Sequence, residues 1–264
     1  MYHPLSSVSP YAKVAKNVVI EPFVNIEKNV VIGEGTWIGS NVTIMEGSRI
    51  GKNCRIFPGA VIGAIPQDLK FEGEETTVEI GDHTTIREFV TVNRGTKANL
   101  KTVVGKHVLL MAYVHVAHDC IIEDNVILAN AVNLGGHVEI GEYAILGGMS
   151  AVHQFVKIGR HVIISGGSLV SKDIPPYTKA ARSPISYAGV NSIGLRRRGF
   201  GSDKIREIQD IYREIFVKDK IVSKAVSWVE ANMSPSAERD EILLFIKNST
   251  RGVMKAYSGT VKSE

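Results

Sequence analysis

The sequence predicts an all-β parallel β-helix, a triangular prism of hexapeptide repeats, followed by an α-helical C-terminal domain. Three observations predict it. Counting in sixes from Val8 to Val170 gives 28 positions in one register, and 25 of them are Ile, Leu or Val; Asp68, Glu74 and Ala98 are the exceptions. A period of six belongs neither to a helix nor to a simple strand, and marks a coil in which each hexad is one flat face. Two residues before each aliphatic stands a second small or β-branched side chain, among them Val18, Val24, Val30, Thr36, Val42, Cys54, Ala60 and Cys120. Residues i and i−2 share one strand face, so both point inward. Glycine directly follows the aliphatic at Gly33, Gly39, Gly51, Gly63, Gly81, Gly105, Gly135, Gly141, Gly147 and Gly159. It is expected there to turn corners at positive φ. Three faces close a coil, so residues about 18 apart should stack at roughly the 4.8 Å spacing of paired strands.

Along the chain, the prism is expected over residues 1–188 and the helical domain over 189–264. Residues 64–79 (AIPQDLKFEGEETTVE) and 94–102 (RGTKANLKT) carry charges where inward aliphatics belong. They read as loops leaving the coil, of the kind that carry binding or contacts between subunits. Pro175, Pro176 and Pro184 mark the end of the hexads. Beyond them, Ser202 is an N-cap candidate for a helix over 203–217, with Ile205, Ile208, Ile211, Tyr212, Ile215 and Phe216 at helical spacing. A second helix is expected at about 220–231 on Val222, Ala225, Val226 and Val229. A third opens at Ser234-Pro235 with Ile242, Leu243, Phe245 and Ile246. Such helices would cover an end of the prism, which otherwise exposes unpaired strand backbone.

Composition narrows the function. No apolar run approaches the roughly 18 residues of a membrane span, and the start, MYHPLSSVSP, lacks the regions of a signal peptide. Cys54 and Cys120 fall at inward positions and read as buried thiols suited to a reducing cytoplasm. The net charge is +4, with a basic run at Arg196, Arg197 and Arg198. No aromatic interleaving accompanies that run, which argues against nucleic acid and for an acidic partner or a phosphate-bearing ligand.

The chemistry concentrates in one stretch, where His115, His118, His137 and His153 are four of the eight histidines. Stacking by coils puts His118 under Gly136 and Gln154, and Asp119 under His137. None of these positions is inward, so they should form one outward corner of imidazoles, a carboxylate and glycine backbone. A neutral imidazole is the natural general base near pH 7. A glycine N–H above it is free to serve a developing oxyanion.

At these residues a resemblance becomes specific. MAYVHVAHDC (111–120), ILANAVNLGGHV (127–138), GGMSAVHQF (147–155), GVNSIGLRRRGF (189–200), IPQDLKFEGE (65–74) and STRG (249–252) resemble the UDP-N-acetylglucosamine O-acyltransferases, in order along essentially the whole chain. The resemblance implies a left-handed prism and transfer of an (R)-3-hydroxyacyl chain from acyl carrier protein to the glucosamine 3-hydroxyl, the first step of lipid A synthesis. It implies a homotrimer with sites between neighbouring prisms, and no cofactor or metal, the acyl carrier protein thioester being the donor. Carried over, it makes His118 the base, Asp119 its orienting carboxylate and Gly136 the oxyanion donor. Asp68 and Lys70 would hold the sugar, with His115, His137 and His153 lining the same cleft. Gln154, Asn191, Arg197 and Arg198 would reach the nucleotide. Gly166 falls on the position that limits acyl length, where glycine implies a long chain of about 14 to 16 carbons, each buried methylene contributing roughly 0.8 kcal/mol. Family members carry an acidic residue two positions after the asparagine of GVN, where this chain has Ile193, so ribose contacts by such a carboxylate must come from elsewhere.

The residues leave rivals open. Prisms of this type also build trimeric zinc carbonic anhydrases, with His115, His118 and His137 available as ligands; bound zinc and loss of activity on chelation would mark one. Acetyl transfer from coenzyme A needs no acyl groove, and a non-catalytic nucleotide-sugar scaffold would show no turnover. The N-acyltransferase of the same pathway carries an extra N-terminal domain, for which no room is expected before Val8. An outward corner on one prism is too shallow to enclose a sugar nucleotide and an acyl chain, which independently favours three prisms about a threefold axis.

Overall fold

The computed structural model describes residues 3–218 and 221–256. Among them the strands form three sheets of nine, eight and eleven strands, and the first 25 strands, up to Leu169–Val170, go to successive sheets and pair three strands on. Pairing within the prism is parallel, with Ser7 opposite Asn25, Lys13 opposite Val31 and Val19 opposite Trp37, each 18 residues on. The two inward ladders read from the sequence meet along the axis. Ile20, Ile26 and Ile32 of one ladder and Val18, Val24 and Val30 of the other are all buried. Cys54 and Cys120 are buried free thiols within the same core.

The loops keep this register by their length. Across the first, Arg49 pairs with Glu79, Arg55 with Thr85 and Val61 with Thr91, 30 residues on, so 12 are added to the coil. Across the second, Thr85 pairs with Leu109 and Thr91 with His115, 24 on, so 6 are added. Both additions are multiples of six, and they contain Asp68, Glu74 and Ala98, the three exceptions in the aliphatic series. The loops themselves are narrower than the sequence suggests. Strands Val61–Ala64, Thr77–Ile80 and Lys101–Val104 extend into the expected loop ranges, because ladder pairing continues where charged residues face outward.

The glycines act differently from the expectation. Of the ten that follow an aliphatic, only Gly63 has positive φ. The left-handed corner is taken instead by the residue three before the aliphatic, such as Asn29, Asn125, Asp119 and His137, residue types that tolerate that region better than β-branched ones. Glycine after the aliphatic answers to crowding. A Cβ on Gly81 would lie 2.6 Å from the carbonyl carbon of Gly105 one coil on, and one on Gly147 would lie 2.4 Å from the amide of Gly166.

After the hexads, strand Thr178–Ala181 turns back into antiparallel Ser186–Val190, and the boundary expected at 188/189 falls inside the latter strand. A short helix α1 (Ser192–Arg197), which the sequence did not suggest, follows directly. Helix α2 (Ser202–Phe216) starts one residue earlier than expected, because Gly201 and not Ser202 is its N-cap. Helix α3 spans Val222–Asn232, residue 220 lying outside the described range. Helix α4 (Ala237–Lys247) begins after Ser236, whose hydroxyl accepts from the Arg239 amide, later than the Ser234-Pro235 start. Apolar faces of α2 to α4 pack together at the prism end, where Tyr212 is fully buried and donates to Pro176 O. Among the described residues no helix is long and apolar enough to cross a membrane.

One corner of the last coils is an aromatic ladder. His161 is stacked between Tyr143 and Tyr177 at 5.1 and 5.7 Å, with Phe200 edge-on at 5.3 Å. Burial, and then the charges of Arg160 and Arg198, push the His161 pKa down to about 4. The folded state therefore refuses a proton that the unfolded chain takes near pH 6.5, and stability rises with pH between these values. Acidification from about pH 6.5 to about 4 should cost on the order of 3 kcal/mol through this residue. Denaturant unfolding of wild type and His161→Phe over that window measures it, and parallel stability curves would contradict it.

Candidate active site

The corner between the nine- and eight-stranded sheets carries the predicted cluster. His118 leaves the strand His115–Val116 one residue before the left-handed corner, and Asp119 occupies the corner itself at φ 59. His137 holds the same corner one coil on, its amide donating to His118 O at 3.0 Å. The His118 and His137 rings meet edge to face at 5.2 Å, and His137 stacks on Phe155 at 4.5 Å.

Asp119 points away from the prism axis, yet it is only 1% exposed. The second loop covers it. Oδ1 accepts the amides of Thr96 (3.1 Å) and Asn99 (3.2 Å), and Oδ2 accepts the Thr96 hydroxyl (2.7 Å). Burial alone would raise the carboxyl's pKa, but bonds from Thr96 and His118 outweigh it and hold the group below the usual carboxylate range. An ionised carboxylate only accepts, so the 2.8 Å contact with His118 Nδ1 requires the ring hydrogen on Nδ1. That leaves Nε2 of neutral His118 as a free acceptor, the arrangement a general base needs.

Gly136 lies against the far side of that ring. A Cβ there would come 2.5 Å from His118 Cε1 and 2.7 Å from Nε2, so only glycine admits the imidazole. Its N–H donates to no carbonyl among the described residues. A cleft of about 630 Å³ opens beside the ring, lined by Asp68, Lys70, Glu74, His118, His137 and Gln154 among others. Asp68 shapes its rim, taking the Lys70 amide on Oδ1 at 3.0 Å.

His115 and His153 do not line this cleft, because both belong to the nine-stranded face beside it. His115 pairs through Nδ1 with the Thr91 hydroxyl at 2.7 Å, and exposed His153 faces Gln154 O at 3.2 Å. Burial lowers the pKa of both His115 and His137, in His137 against the opposing charge of Asp119, so both tend to the neutral form. Asn191, Arg197 and Arg198 lie elsewhere again. They line a second cleft of about 620 Å³ on the eleven-stranded face, with Ile145, Ile163 and Lys179. Arg197 is exposed there, whereas the Asn191 side chain is buried as the α1 cap, accepting from Gly194 N and donating to His161 O. Ile193 stands exposed at the same cleft.

Gly166 belongs to the third corner, three coils on from Ala112, or about 14 Å along the axis. A Cβ on it would sit 3.1 Å from Gly148 O. The donor atoms of His118, Asp119 and His137 lie within 4.8 Å of one another and are the described residues that could hold a metal ion. His115 is not in that group, and Asp119 takes its place.

Sequence reasoning missed Thr96, Asn99 and Thr102, whose hydroxyl accepts the Asp119 amide at 2.8 Å. The signal was present in the register. Val103 pairs with Ile121, so counting back one coil from Asp119 reaches Lys101, at the end of the second loop.

Known proteins match along the chain. Residues 173–254 match the family model described as domain 2 of UDP-N-acetylglucosamine O-acyltransferase, and residues 29–64 and 101–136 match bacterial transferase hexapeptide repeats. The acyl-[acyl-carrier-protein]--UDP-N-acetylglucosamine O-acyltransferase of Thiobacillus denitrificans is 40% identical over 195 residues, 74% of this chain and 76% of that protein. The solved UDP-N-acetylglucosamine acyltransferase from Bacteroides fragilis superposes with TM-score 0.95 at 50% identity, covering 97% of this chain and all (100%) of that one. That from Acinetobacter baumannii gives 0.93 at 39%, covering 96% and 99%. The left-handed parallel β-helix with C-terminal helices is common to this chain and these structures.

The crowding at Gly136 is testable directly. In Gly136→Ala the His118 ring should shift by about 1 Å, the gap between the 2.5 Å approach and ordinary carbon contact of about 3.5 Å. A crystal structure of the variant with the ring in place and its Asp119 bond unchanged would refute this.

Proposed function

The chain belongs to the UDP-N-acetylglucosamine O-acyltransferase family, and from that premise we propose how its residues carry out the transfer. It moves an acyl chain from acyl carrier protein to UDP-N-acetylglucosamine in lipid A synthesis. The acceptor is the glucosamine 3-hydroxyl and the donor an (R)-3-hydroxyacyl thioester. The observation that carries this is the His118–Asp119 pair at 2.8 Å, with Nε2 left free, His118 lining the cleft and Gly136 against the ring. His118 Nε2 takes the hydroxyl proton as the oxygen attacks the thioester carbonyl. The Gly136 N–H donates to the resulting oxyanion. Collapse breaks the carbon–sulfur bond, and the departing thiolate takes the proton back from His118, returning a neutral base. Asp119 stabilises the transient imidazolium without itself being protonated.

Asp68 and Lys70 hold the sugar in this reading, and Gln154 lies between them and the nucleotide. Arg197 and Arg198 are cations suited to the diphosphate, but they open on another face of the prism from His118. A rigid prism cannot fold two of its faces together. We therefore place the complete site between neighbouring chains of a cyclic homotrimer, the first cleft of one facing the second cleft of the next.

Two experiments test these assignments. His118→Ala should lower kcat by about 10²–10⁴ with little effect on UDP-N-acetylglucosamine affinity. Refolded together in equal amounts, inactive His118→Ala and Arg197→Ala chains should regain about a quarter of wild-type activity, since each mixed ring contains one intact junction. His118→Ala with Lys70→Ala should regain nothing, because those residues share one chain's cleft. Recovery in the second mixture and not the first would overturn the trimer arrangement.

Acyl length is the other test. Gly166 leaves the far corner open for a chain of about 14 to 16 carbons, where four extra methylenes are worth about 3 kcal/mol. Gly166→Met should shift the product to a chain several carbons shorter, read by mass spectrometry from a mixture of acyl carrier protein thioesters. Identical product masses from the two proteins would place the end of the groove elsewhere.

A further inference from the structure

We propose that Thr96, in the second loop, is a positioning residue for this reaction: its hydroxyl and amide, with the Asn99 amide, clamp the Asp119 carboxylate and so fix the tautomer and orientation of His118. The proposal rests on His118 being the general base. Its geometry is independent of that reading. Thr96 is 6% exposed and reaches both carboxylate oxygens, Oδ1 by its amide and Oδ2 by its hydroxyl. The hydroxyl oxygen also accepts the Ala98 amide at 3.2 Å. One lone pair is thus occupied from within the loop, and the hydroxyl hydrogen is aimed at Asp119.

The loop residues 94–100 are otherwise a poor use of a coil. They interrupt the aliphatic ladder at Ala98, leave Lys97, Asn99 and Leu100 exposed, and contribute little to the core. Thr96, the loop's one buried side chain, is turned to a single carboxylate. Three donors on Asp119 from this loop leave a single remaining bond, the one to His118 Nδ1. Outer-shell groups of this kind set both the direction and the proton affinity of the imidazole they support, although they touch no substrate.

The sign of the effect follows from sharing. Oδ2 divides its negative charge chiefly between the Thr96 hydroxyl and His118, its two hydrogen-bond partners, with His137 Nε2 farther off at 3.7 Å. Without the hydroxyl, more of that charge falls on His118, which stabilises the imidazolium. The base then stays protonated to higher pH, while the carboxylate, held by fewer bonds, loses its fixed orientation. Other titratable groups lie near the pair: His137, Asp68, Glu74, Lys70 and Lys97 around the cleft, His115 on the nine-stranded face beside it, and Glu139 and Lys157 behind it. All of them are unchanged in a Thr96 variant.

The experiment compares wild type, Thr96→Val, Thr96→Ser and His118→Ala with UDP-N-acetylglucosamine and a 3-hydroxyacyl thioester of acyl carrier protein. Thr96→Val should lower kcat by about 10- to 100-fold, hold KM for the sugar nucleotide within about twofold, and move the acid limb of kcat/KM up by about half a pH unit or more. Thr96→Ser should restore both rate and limb. If the valine chain does not fold, Thr96→Ala against Thr96→Ser gives the same comparison. A Val or Ala protein with wild-type kcat and limb overturns the proposal, as does a slow one whose limb has not moved or which serine fails to rescue. A His118→Ala enzyme keeping more than half its activity sinks the general-base reading instead, whatever Thr96 does.

Discussion

Every feature of this molecule is constrained by coils that repeat at the spacing of paired strands. A coil has no interior beyond its own inward side chains, so it is stable only when aliphatic layers and backbone ladders stay in register with the coils before and after it. The constraint reaches into the loops. The chain adds 12 residues in one place and 6 in the other, and in both the next strand resumes with its aliphatic facing inward. A one-residue change in either length would turn the following strand inside out. At eight of the ten positions, all but Gly39 and Gly63, glycine after the aliphatic meets the same constraint at closest approach, where backbone one coil away lies within 3 Å of the missing Cβ.

A rigid ladder is also what makes the corner useful. Successive corners present outward residues at fixed spacing, so His118 and His137 come together without any helix or loop of their own to orient them. What the ladder cannot supply is a buried environment, because corners face water. The second loop provides it, covering Asp119 while replacing lost solvation with two amides and a hydroxyl. The carboxylate is therefore buried and still ionised, and it supports an imidazole without competing for its proton.

The same rigidity separates the remaining groups. The cleft at His118 and the cleft at Arg197 lie on different faces of one prism. The strong basic run and the histidine corner look like parts of one site in the linear sequence, but no motion of a single prism joins them. Assembly of several prisms is the economical way to bring such surfaces face to face, and it also supplies the depth that an exposed corner lacks.

The sequence by itself determined the repeat, the inward ladders, the buried cysteines and the stacking of His118 under Gly136 and of Asp119 under His137. These depend on spacing alone, and spacing in a solenoid converts directly into distance. It determined the loops' existence from Asp68, Glu74 and Ala98, but set their edges too wide, since a charged residue in an outward strand position looks like a break. It misassigned the glycines, because positive φ and a close backbone approach leave the same residue in the sequence. Helix α1, the Ser236 cap and the Thr96–Asn99 clamp were decided only by tertiary structure. Each depends on a particular hydrogen bond: the register brings the second loop beside Asp119, but it does not say which residues of the loop will bond the carboxylate.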